Sequence, residues 1–145
     1  MRYRTGQIGR VVLARFDHGE AIVPALADLC RAESIRAGWF FLIGAVEAGR
    51  LVCGPKEAAL PPDPAWRAFA KPFEIVGMGS VADNDGIPSL HLHASLGRDA
   101  EVLTGCIRKE GNVFIVVEAM IVEVAGVVAS REPDDNTGLE LLSLA

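Results

Sequence analysis

The chain has 145 residues, half of them apolar, with 14 basic against 19 acidic side chains and a net charge of −5. That length suits one domain with a hydrophobic core, and the acidic balance works against non-specific attraction to a phosphate backbone. The three cysteines, Cys30, Cys53 and Cys106, lie far apart with no C-x-x-C pair, which argues against a disulfide framework and fits a reducing, cytoplasmic setting.

The first residues, Met1 to Gln7, are polar and lead into no signal-peptide core. Ile8 to Phe16 is β-branched and apolar and predicts a strand, broken by Asp17-His18-Gly19-Glu20. A helix is expected from Ala21 to about Ser34, because Ile22, Leu26, Leu29 and Cys30 form a buried stripe. Glu20 suits the positive end of the helix dipole, Pro24 is tolerated in a first turn, and Gly38 is a plausible stop. Trp39 to Val46 reads as a strand in which Gly44 marks a bulge or a close backbone approach. Glu47-Ala48-Gly49 is read as a turn into a short strand, Arg50 to Cys53, and the proline-rich stretch from Gly54 to Trp66 as a loop.

Phe73 to Met78 predicts the next strand, with Gly77 and Gly79 as bulges, and Asp83-Asn84-Asp85-Gly86 is turn chemistry. Ser89 to Leu96 alternates: Leu90, Leu92, Ala94 and Leu96 share one face and His91, His93 and Ser95 the other. Gly97 to Ala100 turns into an extended segment, Glu101 to Ile107, and Glu110-Gly111-Asn112 is expected to turn again. Val113 to Val124 is the most apolar strand, expected to be central and covered on both faces; Glu118 and Glu123 keep it from reading as a membrane span. The tail from Ser130 is polar until Leu139, Leu141 and Leu142, which fit a last strand or a neighbouring subunit. The order of one strand, one helix and then strands joined by short turns predicts an α+β domain spanning 1–145, a mostly antiparallel sheet with one main helix packed on it. The high apolar fraction points to surface buried in an oligomer.

Two histidines at i and i+2 on a strand project from one face and are half of a metal site. If Gly97 to Ala100 closes a hairpin, Cys106 joins His91 and His93 as a three-ligand candidate for Zn²⁺ with room for water. The competing reading is a polar strand face making ordinary hydrogen bonds. Glu118 sits among apolar residues and needs a partner; an ion pair with an arginine such as Arg15 is the simpler reading, a ligand or general base near the metal the other. His18 suits a solvated or capping role, and Trp39 and Trp66 suit core or interface anchors. A cupin-type metal motif fails, since no glutamate follows His93 at the required spacing.

Several segments taken together resemble the plants-and-prokaryotes conserved (PPC) domain family. Arg15-Phe16-Asp17-His18-Gly19-Glu20 is similar to the family's R-L-x-x-G-E entry to its helix. Ile35 to Gly38 with Ile43-Gly44-Ala45, Phe73-Glu74-Ile75 and Thr137-Gly138-Leu139 resemble further family segments in order. Leu90-His91-Leu92-His93-Ala94-Ser95-Leu96 matches its H-L-H-A-x-L almost letter for letter. The resemblance implies a homotrimer and a metal on the H-x-H strand, with Thr104-Gly105-Cys106 standing where a third histidine is usual. It also carries an association with DNA, although the basic AT-hook of the plant members is missing here. Two readings follow: a non-enzymatic, oligomeric regulatory or interaction module, or a metal-dependent enzyme or small-molecule binder built on His91, His93 and Cys106 with Glu118 as base.

Overall fold

A computed structural model describes residues 1–145, apart from the side chain of Lys109. In chain order the elements are β1 (Gln7–Asp17), α1 (Ile22–Ala32), β2 (Gly38–Pro55), β3 (Pro64–Phe69), β4 (Phe73–Asn84), β5 (Ile87–Arg98), β6 (Glu101–Ala125), β7 (Ala129–Asp134) and β8 (Leu139–Leu144). The expectation of an α+β domain is corrected: eight antiparallel strands dominate and α1 is one short helix of 11 residues. Alternating and β-branched residues continue through nearly every segment between the turns, so strand pairing claims the stretches that the turn signals assigned to loops.

Two of those turns do not form. β2 runs unbroken through Glu47-Ala48-Gly49, and β6 through Glu110-Gly111-Asn112. The two stretches lie opposite each other, Ala48 against Asn112 and Gly49 against Gly111, with shifts of register on either side. A Cβ on Gly49 would stand 2.8 Å from Glu110 O and 3.0 Å from Gly111 Cα, so close backbone approach accounts for the glycine pair. The length of β6 lets it pair with β1 and β2 in its second half and with β5 in its first. β5 pairs with β4 and β4 with β2, so the pairings β2–β4–β5–β6–β2 close into a ring. The stretch expected as a loop through Trp66 ends in β3, an edge strand on β2. β7 and β8 form a separate hairpin, which uses Leu139 to Leu144 as the last strand.

One side of the ring is the core. Phe40, Leu42, Ile75, Leu92, Leu96 and Ile121 are almost fully buried there with Ile22, Leu26 and Cys30 of α1. Burying Ile22 and Leu26 gives α1 about 3–6 kcal/mol of hydrophobic anchoring. Its approach is tied to the bend of β6: Gly19 N donates to Val113 O and Val113 N to Glu20 O, each at 2.9 Å, and Ala21 bridges Asn112. The helix ends at Ala32, close to the expected Ser34, and Gly38 is not what stops it. Ser34 takes a left-handed φ of 56°, Ile35 N donates to Cys30 O and Ser34 N to Arg31 O, a Schellman closure with serine in the glycine position. Gly38 serves β2 instead, where a Cβ would press on Val122 O. Gly77 and Gly79 are not bulges, since β4 keeps register with both neighbours; the rings and methyls of Phe40, Leu42 and Leu92 fill the space above them. Gly44 does behave as expected, with φ 141° at a register shift.

The other side of the ring is exposed. β6 is central but covered on one face only: Glu118 and Met120 are exposed, while Val117, Ala119 and Ile121 are buried. Partners Leu13, Met120, Phe41, Met78 and His93 form one row across β1, β6, β2, β4 and β5. Every member of that row is exposed, Leu13 to 78%. Trp39 is half exposed on this face and Trp66 lies under the Arg50 guanidinium at 4.4 Å, so neither is a core anchor.

Gly44→Ala is expected to destabilise the fold by about 3 kcal/mol, because a Cβ there overlaps Val116 O; a denaturation curve unchanged within error would refute this account of the bulge. Arg10 donates to Glu123 and to Glu33 O, joining β1, β6 and the helix end, and its hydrogen bonds hold the Glu123 carboxyl below its ordinary 4.5. That contribution is complete above pH 4.5 and is lost as pH falls through the depressed value. Arg10→Gln should therefore flatten the acid limb of stability against pH below 4.5, measured by thermal melts across that range.

Candidate metal centre

The β5–β6 hairpin decides which side chains meet. Its register sets His93 opposite Cys106 and Ala94 opposite Gly105, so Cys106 projects from the same face as the two histidines. A Cβ on Gly105 would overlap Val52 O, so the segment lies tight against β2 and has little freedom to slide. His91, His93 and Cys106 bring one donor atom each to within 4.8 Å of one another. The two Nε2 atoms are 3.1 Å apart, with the rings edge to face at 4.8 Å between centroids. Donors around a tetrahedral zinc stand about 3.3–3.7 Å apart, so small rotamer changes bring this set to bonding geometry. Two imidazoles and a thiol are donors of borderline softness, and they leave a fourth position open.

The electrostatics favour ligand forms unevenly. Burial, then the neighbouring His93, Arg131 and Arg108, pushes the His91 imidazole below its ordinary 6.5, which keeps it neutral and ligand-competent. Burial pushes the Cys106 thiol up, while Arg108 and Arg131 oppose that shift. A metal held here must displace the thiol proton, so binding releases acid.

Glu118 is not part of this cluster. It stands opposite Arg15 on one side and Ile43 on the other, and its row reaches β5 at Ser95 after three strand spacings, about 14 Å along the sheet. Nor is it buried, so no partner is demanded; Arg15, although its register partner, pairs with Asp17 at 2.7 Å. His18 is exposed and caps backbone, with Nδ1 accepting from Ile115 N at 3.4 Å, where Ile115 takes a left-handed φ of 63°.

Three residues that sequence reasoning missed surround the cluster. Arg131 of β7 donates from Nη2 to Ser80 Oγ at 2.7 Å, and Ser80 is the register partner of His91. Its backbone is clamped to β4 from both sides: Arg131 N donates to Asn84 Oδ1 at 2.8 Å and Asn84 Nδ2 to Arg131 O at 3.1 Å. Nothing local in a polar tail marks such a residue, because it acts through a hairpin folded back over 40 positions of chain.

Comparison with known proteins follows the same features. The model of the Plants and Prokaryotes Conserved domain matches residues 3–125. A metal-containing protein of Archaeoglobus fulgidus superposes with a TM-score of 0.87 at 26% identity, covering 99% of each chain. A plant- and prokaryote-conserved protein of Pyrococcus horikoshii gives 0.85 at 26% identity, over 99% of this chain and 97% of that one. A Bacteroides thetaiotaomicron protein whose name carries a provisional DNA-binding label shares the fold, with 0.75 at 22% identity over 97% and 98%. No match was found among curated proteins.

The three thiols should separate by reactivity in metal-free protein. Cys53 is exposed, Cys106 buried at the cluster, and Cys30 lies in the core with its thiol pushed up to about 11 by burial. An aromatic disulfide reagent at neutral pH is expected to titrate Cys53 first, Cys106 more slowly, and Cys30 only in denaturant.

Proposed function

The chain belongs to the plants and prokaryotes conserved domain family, and from that premise we propose that it is a non-enzymatic, homotrimeric interaction module of regulatory type that holds a zinc-class metal ion. The observation that carries this reading is the outer row Leu13–Met120–Phe41–Met78–His93. It is apolar for four strands and ends at the donor cluster. A monomer that exposed such a row would put a contiguous apolar surface into water, at a cost that a second copy removes. His91, His93 and Cys106 would hold the ion, which supplies cross-linking between β5 and β6 and a Lewis-acid position at the edge of that face.

The enzymatic alternative loses its base, since Glu118 lies three strand spacings from β5, which carries the histidines. DNA enters this reading as a family association; the net charge of −5 works against it, and no retardation of a mixed-sequence duplex at physiological salt is expected. Among the described residues no helix is long and apolar enough to cross a membrane.

Light scattering and elemental analysis on one sample test the proposal. The expected result is a mass about three times that of the chain, with about one zinc per chain in protein purified without chelators. His93→Ala should lose the metal and keep the assembly, and Phe41→Glu should break the assembly and keep the metal. A monomeric wild type without metal would overturn the reading.

A further inference from the structure

Beside the cluster lies a cleft of about 360 Å³ between β5, β6 and the β7–β8 hairpin. His91 and Cys106 form one wall, Leu139 and Leu141 are apolar lining from the hairpin, and Arg108 and Arg131 supply two guanidiniums against the single carboxylate of Glu140. Arg131 is half-buried, and among the described residues no acid lies within ion-pair distance of it. A guanidinium half-withdrawn from water without a contacting counter-ion is costly; Glu140 acts on this one only at a distance, and Ser80 and the Asn84 clamp hold it in place. Ser80 takes one of the five N–H donors of the guanidinium, and among the described residues none accepts from the others. Ser80, to which Arg131 donates, stands about one strand spacing, roughly 5 Å, from the His91 position.

We propose that this cleft binds a small organic carboxylate, whose carboxylate lies between the Arg131 fork and the open side of the donor cluster and whose carbon chain rests on Leu139 and Leu141. A planar fork matches a carboxylate two bonds at a time, which a lysine does not. The lining is of mixed polarity, and its apolar share gives a short alkyl chain a footing that a bare inorganic anion does not use. The inference deepens the metal reading of His91, His93 and Cys106 and rests on it only for the ion, since Arg131 belongs to the protein alone. Glu140 lies on β8 across the cleft and sets a limit: a second negative group on the ligand near that strand is disfavoured.

Isothermal titration of butyrate, acetate and inorganic phosphate into zinc-loaded and metal-free protein tests the site. Butyrate is expected to bind more tightly than acetate, and phosphate more weakly than either. Arg131→Gln should weaken butyrate about tenfold to a hundredfold with unchanged zinc content. Arg131→Lys, which keeps the charge and the stem, should fall between and covers the case in which the glutamine variant does not fold. If zinc does not bind, the metal reading has failed; the carboxylate proposal still predicts a weaker, Arg131-dependent signal in metal-free protein. Absence of butyrate binding in both forms, equal binding by Arg131→Lys and wild type, or phosphate binding more tightly than butyrate would overturn it.

Discussion

The register of the β5–β6 hairpin is the constraint on which the site depends. Strand side chains alternate faces, so a slip of one residue would carry Cys106 into the core and expose Ile107 in its place. Two features oppose the slip. Ile107, buried against Leu92 on the inner face, would be expelled together with its strand neighbour Leu103, and Gly105 lies where only a residue without a side chain fits against Val52. The same hydrophobic burial that stabilises the core therefore aligns the donors, and no separate device is required for the outer face.

The ring of pairings turns that alignment into a shape. β2 and β6 are long enough to bend together at Gly49 and Gly111, and each then serves two neighbourhoods. One half of β6 carries the apolar outer row and the other half carries Cys106. The helix entry is hydrogen-bonded to the bend itself through Val113 and Asn112. α1 fills the inner face, so outer-face chemistry and inner-face packing are separated by a single sheet thickness.

Much of this was legible in the alternation of residues 89–96, which placed both histidines on one face and all four apolar residues on the other. The hairpin turn at Gly97–Ala100 was legible too, and with it the approach of Cys106. Gly49 and Gly111 were misread because glycine marks both turns and close approaches, and only a partner strand decides between them. The helix end was legible to within two residues, but its stop was credited to Gly38, whereas Ser34 takes the left-handed position that sequence rules assign to glycine. Glu118 was read as buried because its neighbours along the chain are apolar; the exposed apolar face around it comes from β1 and β2, which no local pattern predicts. Arg131 left no trace at all, since its role depends on a clamp made by Asn84 on a distant strand.

The donors sit on strands within the family-matched residues 3–125, whereas Arg131 arrives on a hairpin that follows them and is fastened by a pair of backbone hydrogen bonds to one asparagine. Because the fastening uses the backbone at position 131, it does not depend on which side chain stands there. Attachment and side-chain identity are therefore separable at position 131: a substitution there can change the lining of the cleft and leave the hairpin fastened to β4.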